Sequence, residues 1–376
     1  MRPLELYIHI PFCVKKCRYC DFLSAPATPE ARQEYVMGLC QKIRSYYDLG
    51  GMYHVSSIFI GGGTPSILET QQMRSIFDAI RSTFPVDSDA EITVEVNPGT
   101  VDKLKLMAYH NIGINRLSIG LQSTDDQELK MLGRIHTYQD FLDTYFLARE
   151  AGFQNINVDL MSGIPFQTLG GWEDTIKRVA DLAPEHISAY SLIIEEGTPF
   201  FERYKDNPPV DEETDRKMYE MTQQMLVDRG YERYEISNYA RPRYESRHNT
   251  KYWTGEDYLG VGLGASSKIG KFRLKNETDM TAYLEKLGKG ETVAFVEENL
   301  SDEDEKIEFF ILGMRCMSGV SLKKYKERFG EDASVRYGKT IQKICDMGLA
   351  AREEDRLFLT AKGIDVSNLV FEMFFM

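Results

Sequence analysis

The chain has 376 residues and a formal net charge of −13, with 42% hydrophobic and 27% charged residues. This composition is typical of a globular protein of one or two domains, and it argues against the basic stripe of a nucleic-acid-binding protein. The N-terminus lacks the apolar run of a signal peptide, and no stretch approaches the roughly 18 apolar residues of a membrane helix. We therefore expect a cytoplasmic protein whose cysteines stay reduced.

Strand-like and helix-like segments alternate through the first half of the chain. Six runs rich in Ile and Val end in Gly, Pro or polar residues, as strands do when they enter loops; they cover residues 6–12, 55–64, 91–99, 114–123, 156–165 and 186–194. Apolar residues at helical spacing lie between them, over residues 31–47, 70–84, 101–110, 137–152 and 169–183. Repeated strand–helix units predict an α/β fold with a parallel sheet, and six units are too few for a closed eightfold barrel. We predict an open, partial (β/α)6 TIM-like barrel over residues 1–235.

The pattern changes in the second half of the chain. A helix is predicted at 215–230, and residues 236–280 read as a connecting segment. A small C-terminal domain is predicted for 281–376, with helices near 303–314, 321–329 and 334–347 and then a β-hairpin. This order resembles a winged helix. Between 301 and 376 there are 12 Lys or Arg against 14 Asp or Glu, so we favour a structural or docking module over a DNA-binding one.

Three of the six cysteines lie together directly after the first strand. Cys13, Cys17 and Cys20 have C-x3-C-x2-C spacing. Structural zinc takes four ligands and usually a second cysteine pair, which the sequence lacks. A cubane [4Fe–4S] cluster usually takes four cysteines, so three would leave one iron open to a substrate or cofactor. We favour the cluster over zinc or a redox thiol pair. The other three cysteines are expected to be buried apolar residues: Cys40, Cys316 and Cys345.

Polar and glycine residues collect at the predicted C-terminal ends of the strands. In such a sheet ligands bind at this edge. "GGGTP" (61–65) would allow close approach of a ligand, although a tight turn explains it equally well. Arg134 could bind a carboxylate with its guanidinium fork, or it could form a surface ion pair. Three further polar residues lie at this edge: Glu95, Gln122 and Asp159. Each by itself is explained by loop capping, but their shared position favours binding of a polar ligand.

The cysteine spacing after the first strand, with "GGGTP" after the second, resembles the radical SAM superfamily. "YIHIPFC", "IFIGGGTPS", "EVNPGT", "GLQS" and "NVDLMSGIPFQT" resemble its oxygen-independent coproporphyrinogen III oxidase group, and the likeness runs over about residues 4–370. The resemblance implies that Cys13, Cys17 and Cys20 hold a [4Fe–4S] cluster whose open iron binds S-adenosylmethionine (SAM). It also implies a SAM site formed by Tyr7, Tyr19, Gly62, Gly63, Thr64, Glu95, Gln122, Arg134 and Asp159.

Three features resemble the HemW haem-chaperone branch of this group more than the oxidases. The oxidases have a pattern similar to C-x3-C-x2-C-x-C, whereas this chain has Phe22 in place of the fourth cysteine. The oxidases also have a longer segment before the first strand, whereas only six residues precede Tyr7 here. "HNTKYW" matches the H-N-x-x-Y-W motif of that branch. An imidazole can ligate haem iron and aromatic rings can flank the macrocycle, although core packing is the alternative. The predicted haem contacts are His248, Asn249, Tyr252 and Trp253.

These observations predict a cytoplasmic, radical-SAM-like haem chaperone that binds a [4Fe–4S] cluster, SAM and haem. Its expected partners are haem-receiving client proteins and an electron donor, with no nucleic acid and with membrane contact only through a client. No catalytic residue is assigned, and the sequence leaves open whether SAM is cleaved. The alternatives are an oxygen-independent coproporphyrinogen III dehydrogenase of porphyrin biosynthesis and a DNA-binding regulator. The three cysteines outside the loop are poor candidates for haem ligands, because nothing aromatic or basic clusters beside them in the sequence.

Overall fold

The structure is a computed structural model that describes residues 1–375. Its central feature is a twelve-stranded sheet with the order β12-β11-β10-β9-β1-β2-β3-β4-β5-β6-β8-β7. The first six strands are parallel and pair in chain order. They are β1 (Arg2–Ile10), β2 (Tyr53–Gly62), β3 (Val86–Val96), β4 (Arg116–Gln122), β5 (Ile156–Ser162) and β6 (His186–Ser191). The predicted open (β/α)6 barrel is therefore confirmed.

Helices cover the outside of this parallel region. They are α1 (Pro29–Arg44), α2 (Tyr47–Gly50), α3 (Thr70–Thr83), α4 (Lys103–Ile112), α5 (Asp126–Leu132), α6 (Tyr138–Glu150) and α7 (Leu169–Asp181). Local chemistry fixes where they begin: Thr28 caps α1 by accepting a hydrogen bond from the Ala31 N–H with its hydroxyl, and Pro29 is the first helical residue. The short helix α5 was not predicted, since seven residues carry little periodic signal.

The barrel strands are buried on both faces, as parallel strands under helices must be. Every residue of β4 is buried, and Leu6, Ile8, Ile60 and Val94 have no exposed surface. These side chains belong to one large hydrophobic core that spans the strands and the inner faces of the helices. Burial of this core stabilises the barrel and fixes the register of its strands, so the loops at their C-terminal ends are held in place.

Residues 199–299 extend the same sheet. They form α8 (Pro199–Tyr204), α9 (Glu212–Val227), β7 (Glu232–Arg233), β8 (Asn238–Ala240), α10 (Arg247–Thr254), β9 (Tyr258–Val261), β10 (Ser266–Ile269), β11 (Phe272–Asn276), α11 (Met280–Gly288) and β12 (Ala294–Asn299). β8 pairs antiparallel with β6, and β9 pairs parallel with β1. The segment 236–280, predicted as a connector, thus contributes strands to both sides of the barrel.

The C-terminal unit has its own sheet and core. It contains α12 (Asp302–Gly313), β13 (Val320–Ser321), α13 (Leu322–Phe329), α14 (Ala333–Asp346), β14 (Ala350–Glu353), β15 (Arg356–Leu359), α15 (Ala361–Asp365) and α16 (Ser367–Glu372). The strand order β13-β15-β14 gives the predicted wing. This second core begins at Ile307, whereas α11 and β12 pack with the barrel. The two cores therefore divide near residue 300 rather than at 281, because β12 completes the large sheet.

Within residues 1–375, none of the helices is long and apolar enough to cross a membrane.

Candidate functional site

The three clustered cysteines lie on the loop that follows β1. The loop is closed by backbone hydrogen bonds from the Cys13 N–H to the Ala25 carbonyl (3.1 Å) and from the Ala25 N–H to the Pro11 carbonyl (3.0 Å). The Arg18 N–H donates to the Leu132 carbonyl at 2.9 Å, which ties the middle of the loop to the end of α5. Backbone contacts at both ends therefore fix the path of the chain that carries the thiols.

The glycines of "GGGTP" bring β2 against this loop. The Gly63 N–H donates to the Ile10 carbonyl at 2.9 Å, and the Thr64 N–H donates to the Phe12 carbonyl at 2.7 Å. A Cβ at Gly63 would lie 2.6 Å from the Phe12 carbonyl oxygen, and Gly62 has φ +112° with the His9 ring filling the place of its Cβ. The sequence predicts that these glycines admit a ligand. At Gly62 and Gly63 the space that a side chain would take is filled by His9 and Phe12, although both glycines also line the cleft described below.

This packing makes Gly63→Ala a test of how the cysteine loop is held. The new methyl group meets backbone rather than a flexible side chain, so we expect the free energy of unfolding to fall by about 1–3 kcal/mol. Iron content after anaerobic reconstitution should fall too, because Cys13 follows Phe12 directly. Gly170→Ala in α7 is the matched control, since its Cβ would meet no atom within 4 Å. Equal urea midpoints for the two variants would contradict the packing argument.

A cleft with a cavity volume of about 130 Å³ opens at the C-terminal ends of the barrel strands. It brings together the three cysteines and nearly all of the predicted SAM contacts, which come from six different strands and loops. Tyr7 is the exception: it lies behind this wall, stacked on Phe59 and hydrogen-bonded to the His9 ring. The predicted residues that line the cleft are Cys13, Cys17, Tyr19, Cys20, Gly62, Gly63, Thr64, Glu95, Gln122, Arg134 and Asp159.

Two carboxylates dominate the electrostatics of this cleft. Glu95 accepts from the Gly62 N–H at 3.0 Å, and Asp159 accepts from Asn157 (2.7 Å) and Ser118 (3.1 Å). Burial, with the Asp159 carboxylate second, raises the pKa of Glu95 to about 8. Burial also raises the pKa of Asp159. Two neighbouring carboxyl groups that resist ionisation create a place where a bound cation is favoured.

A hydrogen-bonded chain runs from Arg134 to the cysteine loop. The Arg134 guanidinium donates to the Gly120 carbonyl (2.5 Å) and to Asn97 Oδ1 (2.8 Å), and it contacts Cys17 Sγ at 3.8 Å. Asn97 donates to Thr64 Oγ1 at 2.7 Å, and Thr64 lies 3.6 Å from Cys13 Sγ. We had expected Arg134 to offer a fork to a carboxylate. In the structure one of its terminal nitrogens is taken by protein acceptors, and its charge lies beside a cysteine sulfur.

Sequence reasoning missed several residues of the cleft wall. Asn97, Ser118 and Gly120 line it, and Asn157 orients Asp159 from behind. The sequence did hold a signal for two of them, because residues two apart on a strand share a face. Asn97 could therefore have been expected beside Glu95, and Gly120 beside Gln122. Backbone geometry also marks this rim. Gln122 has φ +77°, at the point where the β4–β5 register shifts, and such strain is concentrated at functional sites.

The three thiols suit a cluster rather than a single metal ion. Cys13, Cys17 and Cys20 are free and partly exposed, and they line one cleft. Among residues 1–375, however, no three His, Cys, Asp or Glu side chains surround a point where one metal ion would be held. A cubane cluster presents its irons at separate corners, so its thiolates need not meet at one point. Three soft sulfur donors beside a polar cleft therefore fit a [4Fe–4S] cluster.

The motif "HNTKYW" forms α10, and its histidine faces inward. His248 is 1% exposed; its Nδ1 lies 2.5 Å from Ser57 Oγ and its Nε2 lies 2.8 Å from the Tyr252 hydroxyl. Ser57 also donates to the buried carboxylate of Glu5. Burial, with the Arg116 charge second, lowers the pKa of His248 to about 3. Both ring nitrogens thus have protein partners, an arrangement that favours the packing alternative over an iron ligand.

His248→Gln should accordingly act on stability. We expect the free energy of unfolding at pH 7 to fall by about 1–3 kcal/mol, because Ser57 and Tyr252 lose a buried partner. The folded-state pKa is depressed, so this stabilisation is complete above the unfolded pKa of about 6.5 and declines as the pH falls below it. Urea unfolding at several pH values measures both effects, with the exposed His110→Gln as control. Unchanged stability together with lost haem binding would restore His248 as a ligand.

Comparison with known proteins agrees with this geometry. The family model of the radical SAM superfamily matches residues 7–179, and that of the HemN C-terminal domain matches residues 300–366. Among solved structures, the Escherichia coli coproporphyrinogen III oxidase HemN, titled a radical SAM enzyme, aligns with a TM-score of 0.88 and 26% identity over 99% of this chain and 90% of that chain. The fold and the cysteine cleft thus define a radical SAM protein.

Curated relatives narrow the class. The chain is 36% identical to the heme chaperone HemW of Bacillus subtilis over 98% of both chains, and 33% identical to that of Lactococcus lactis over 99% of this chain and 97% of the other. It is 42% identical to the Escherichia coli HemW over 71% of this chain and 70% of that protein. The chain belongs to the HemW family of radical SAM proteins. The resemblance stated from the motifs is therefore confirmed.

Proposed function

We propose that the protein is a haem chaperone, which binds haem and delivers it to client proteins. The observation that carries the proposal is the full-length similarity to relatives named heme chaperone HemW. Phe22 supports it as well: this side chain lines the cleft where the oxidase pattern would place a fourth cysteine.

The proposal includes a [4Fe–4S] cluster held by the thiolates of Cys13, Cys17 and Cys20. SAM would lie in the same cleft. When bound, the cluster and SAM supply electron transfer and radical chemistry, and the protein supplies their binding and orientation. Glu95 and Asp159 would meet the positive charges of SAM, an ammonium and a sulfonium. Gln122 and Ser118 line the same cleft and offer hydrogen-bonding groups to hydroxyls.

An electron donor and client proteins are the proposed partners. Lys15 and Lys16 are exposed on the cysteine loop, and neither is within 4 Å of a carboxylate among residues 1–375. In a chain of net charge −13, this local positive charge would favour an acidic donor protein. The proposed compartment is the cytoplasm, where thiols remain reduced, and all six cysteines are free.

Haem transfer tests the proposal. Cluster-loaded protein is mixed with haemin, separated from free haemin by gel filtration, and then incubated with an apo-haemoprotein. We expect a stoichiometric haem complex that yields haem to the acceptor faster than free haemin does. A protein that elutes without haem would refute the proposal.

The alternative is an oxygen-independent coproporphyrinogen III dehydrogenase. It is favoured by the match of 99% of the chain to the fold of HemN, which is titled a coproporphyrinogen III oxidase. An anaerobic assay with coproporphyrinogen III, SAM and a reductant separates the two proposals. Protoporphyrinogen formation would establish the dehydrogenase, whereas haem binding without turnover is expected of the chaperone.

A further inference from the structure

A second opening separates the barrel from the C-terminal unit. It is a groove with a cavity volume of about 610 Å³ between α10 on one side and α12, α13 and the wing on the other. It shares no lining residue with the cysteine cleft. Its volume lies within the roughly 300–1,000 Å³ of pockets that bind small molecules and cofactors, so it is of the size class that a tetrapyrrole needs. We call this opening the interdomain groove. The lining residues on which the argument depends are Trp253, Phe309, Cys316, Lys324, Arg328 and Arg356.

We propose that the interdomain groove binds the haem cargo, with the macrocycle beside Trp253, the propionates among the basic side chains and the Cys316 thiolate on the iron. This inference rests on the proposed chaperone function and specifies where that cargo lies. Of the haem contacts predicted from the sequence, this site retains Trp253. It has Cys316 in place of His248 as the iron ligand, because His248 is buried and does not line the groove.

Aromatic side chains form part of both walls. Trp253 comes from the end of α10, and Phe309 comes from α12 across the groove. The Arg315 guanidinium lies 4.6 Å from the Trp253 ring centroid, and the indole N–H has no hydrogen-bond partner among residues 1–375. Trp253 is therefore held by stacking rather than by hydrogen bonding. A large planar ligand such as haem gains contact area and stacking energy against walls of this type.

The charge of the groove suits a ligand with two carboxylates. Three basic residues, Lys324, Arg328 and Arg356, line the groove together with two acidic ones, Glu256 and Glu327, in a chain whose net charge is −13. Arg328 lies 3.5 Å from Glu305, whereas Lys324 and Arg356 have no carboxylate within 4 Å among residues 1–375. Two uncommitted cations at the rim match the two propionates of one haem, and such pairs form charge-assisted hydrogen bonds.

Cys316 supplies a metal-binding atom inside the groove. It is 8% exposed, lines the groove directly after α12, and is the one His, Cys or Met among the lining residues. Haem iron takes cysteine thiolate as an axial ligand. Burial, with Glu235 second, raises the pKa of the Cys316 thiol to about 11, so coordination to ferric haem would release the thiol proton to solvent as the Fe–S bond forms.

Haemin titration of the cluster-loaded, full-length protein tests the site through its charges. Lys324→Glu with Arg356→Glu changes only exposed side chains, so the fold is retained. We expect the haemin dissociation constant to rise about tenfold or more, because two charge-assisted contacts become repulsive. The matched control is Arg74→Glu with Lys177→Glu on α3 and α7, also exposed, which should change the constant by no more than about twofold.

Spectroscopy tests the proposed iron ligand. Cys316→Ser should shift the Soret band of the ferric complex and remove the thiolate signature of its ferrous–CO form, whereas Cys345→Ser should leave both unchanged. Trp253→Leu should weaken binding without changing the ligand signature. If the wild type binds haemin and neither the charge variant nor Cys316→Ser differs from it, the groove assignment is overturned and the chaperone proposal stands. If the wild type binds no haemin, both are overturned.

Discussion

Replacing Cys17 with alanine is expected to leave less than about a tenth of the wild-type iron after anaerobic reconstitution, because only two thiolates would remain for a cluster that usually takes four. Each of the three thiols is a separate cluster ligand in the proposed arrangement. The Cys17 sulfur also lies 3.8 Å from the Arg134 guanidinium, so it is the thiol that joins the loop to the hydrogen-bonded chain of the cleft. Iron and acid-labile sulfide analysis measures the loss.

The control for this experiment is Cys345→Ala. Cys345 is a free, partly exposed cysteine on α14 in the C-terminal unit, far from the cleft in the fold. Its removal should leave the iron content at the wild-type value, which shows that thiol number alone does not decide cluster assembly. A triple variant of Cys13, Cys17 and Cys20 that still held a full complement of iron and sulfide would refute the cluster assignment.

Glu95→Gln is expected to weaken SAM binding and to stabilise the ligand-free protein. A cationic ligand interacts with the ionised carboxylate, so its loss should raise the SAM dissociation constant by about 10–100-fold, the equivalent of about 1.5–3 kcal/mol. Since the pKa of Glu95 in the ligand-free fold is about 8, SAM binding below that pH must expel a proton. Wild-type affinity should therefore increase as the pH rises from 6 to 8, while that of the variant changes little over the same range.

The stability of Glu95→Gln follows from the same pKa. A carboxyl group whose pKa rises from 4.5 to about 8 on folding binds more protons in the folded state. The wild type therefore loses stability as the pH rises from 4.5 to 8, and glutamine does not. At pH 8 the variant should be more stable by on the order of 4 kcal/mol. Calorimetric SAM titration and urea unfolding provide the measurements, with the exposed Glu173→Gln as control. A variant less stable than the wild type at pH 8 would contradict the electrostatic argument.

Local sequence patterns predicted most of the fold. Alternating apolar runs located the six parallel strands, and helical spacing located α3, α6 and α7 to within two residues of their observed ends. Such elements are predictable because burial acts on neighbours two, three or four positions apart. The domain division was less accurate, because β9 to β12 join the sheet through pairing with β1, a contact that spans about 250 residues and leaves no periodic signal.

The cysteine cleft was predicted in composition but not in its internal contacts. Parallel strands place their C-terminal ends at one edge, so Glu95, Gln122 and Asp159 could be expected to converge. The partners of Arg134 could not be derived in this way. Whether a guanidinium meets a ligand or the protein depends on which acceptors lie beside it, and here these come from β3 and β4.

Periodicity and short-range spacing predict the six parallel strands, the cysteine loop and the polar edge, because each of these features follows from residues a few positions apart. Long-range packing, in contrast, determines what the glycines after β2 accommodate and places His248 against Ser57 in the interior. It also decided that Cys316, isolated in the sequence, shares a groove with Trp253 and Arg356. These relations arise between segments tens to hundreds of residues apart, so they exist only in the folded chain, where distant segments are packed side by side.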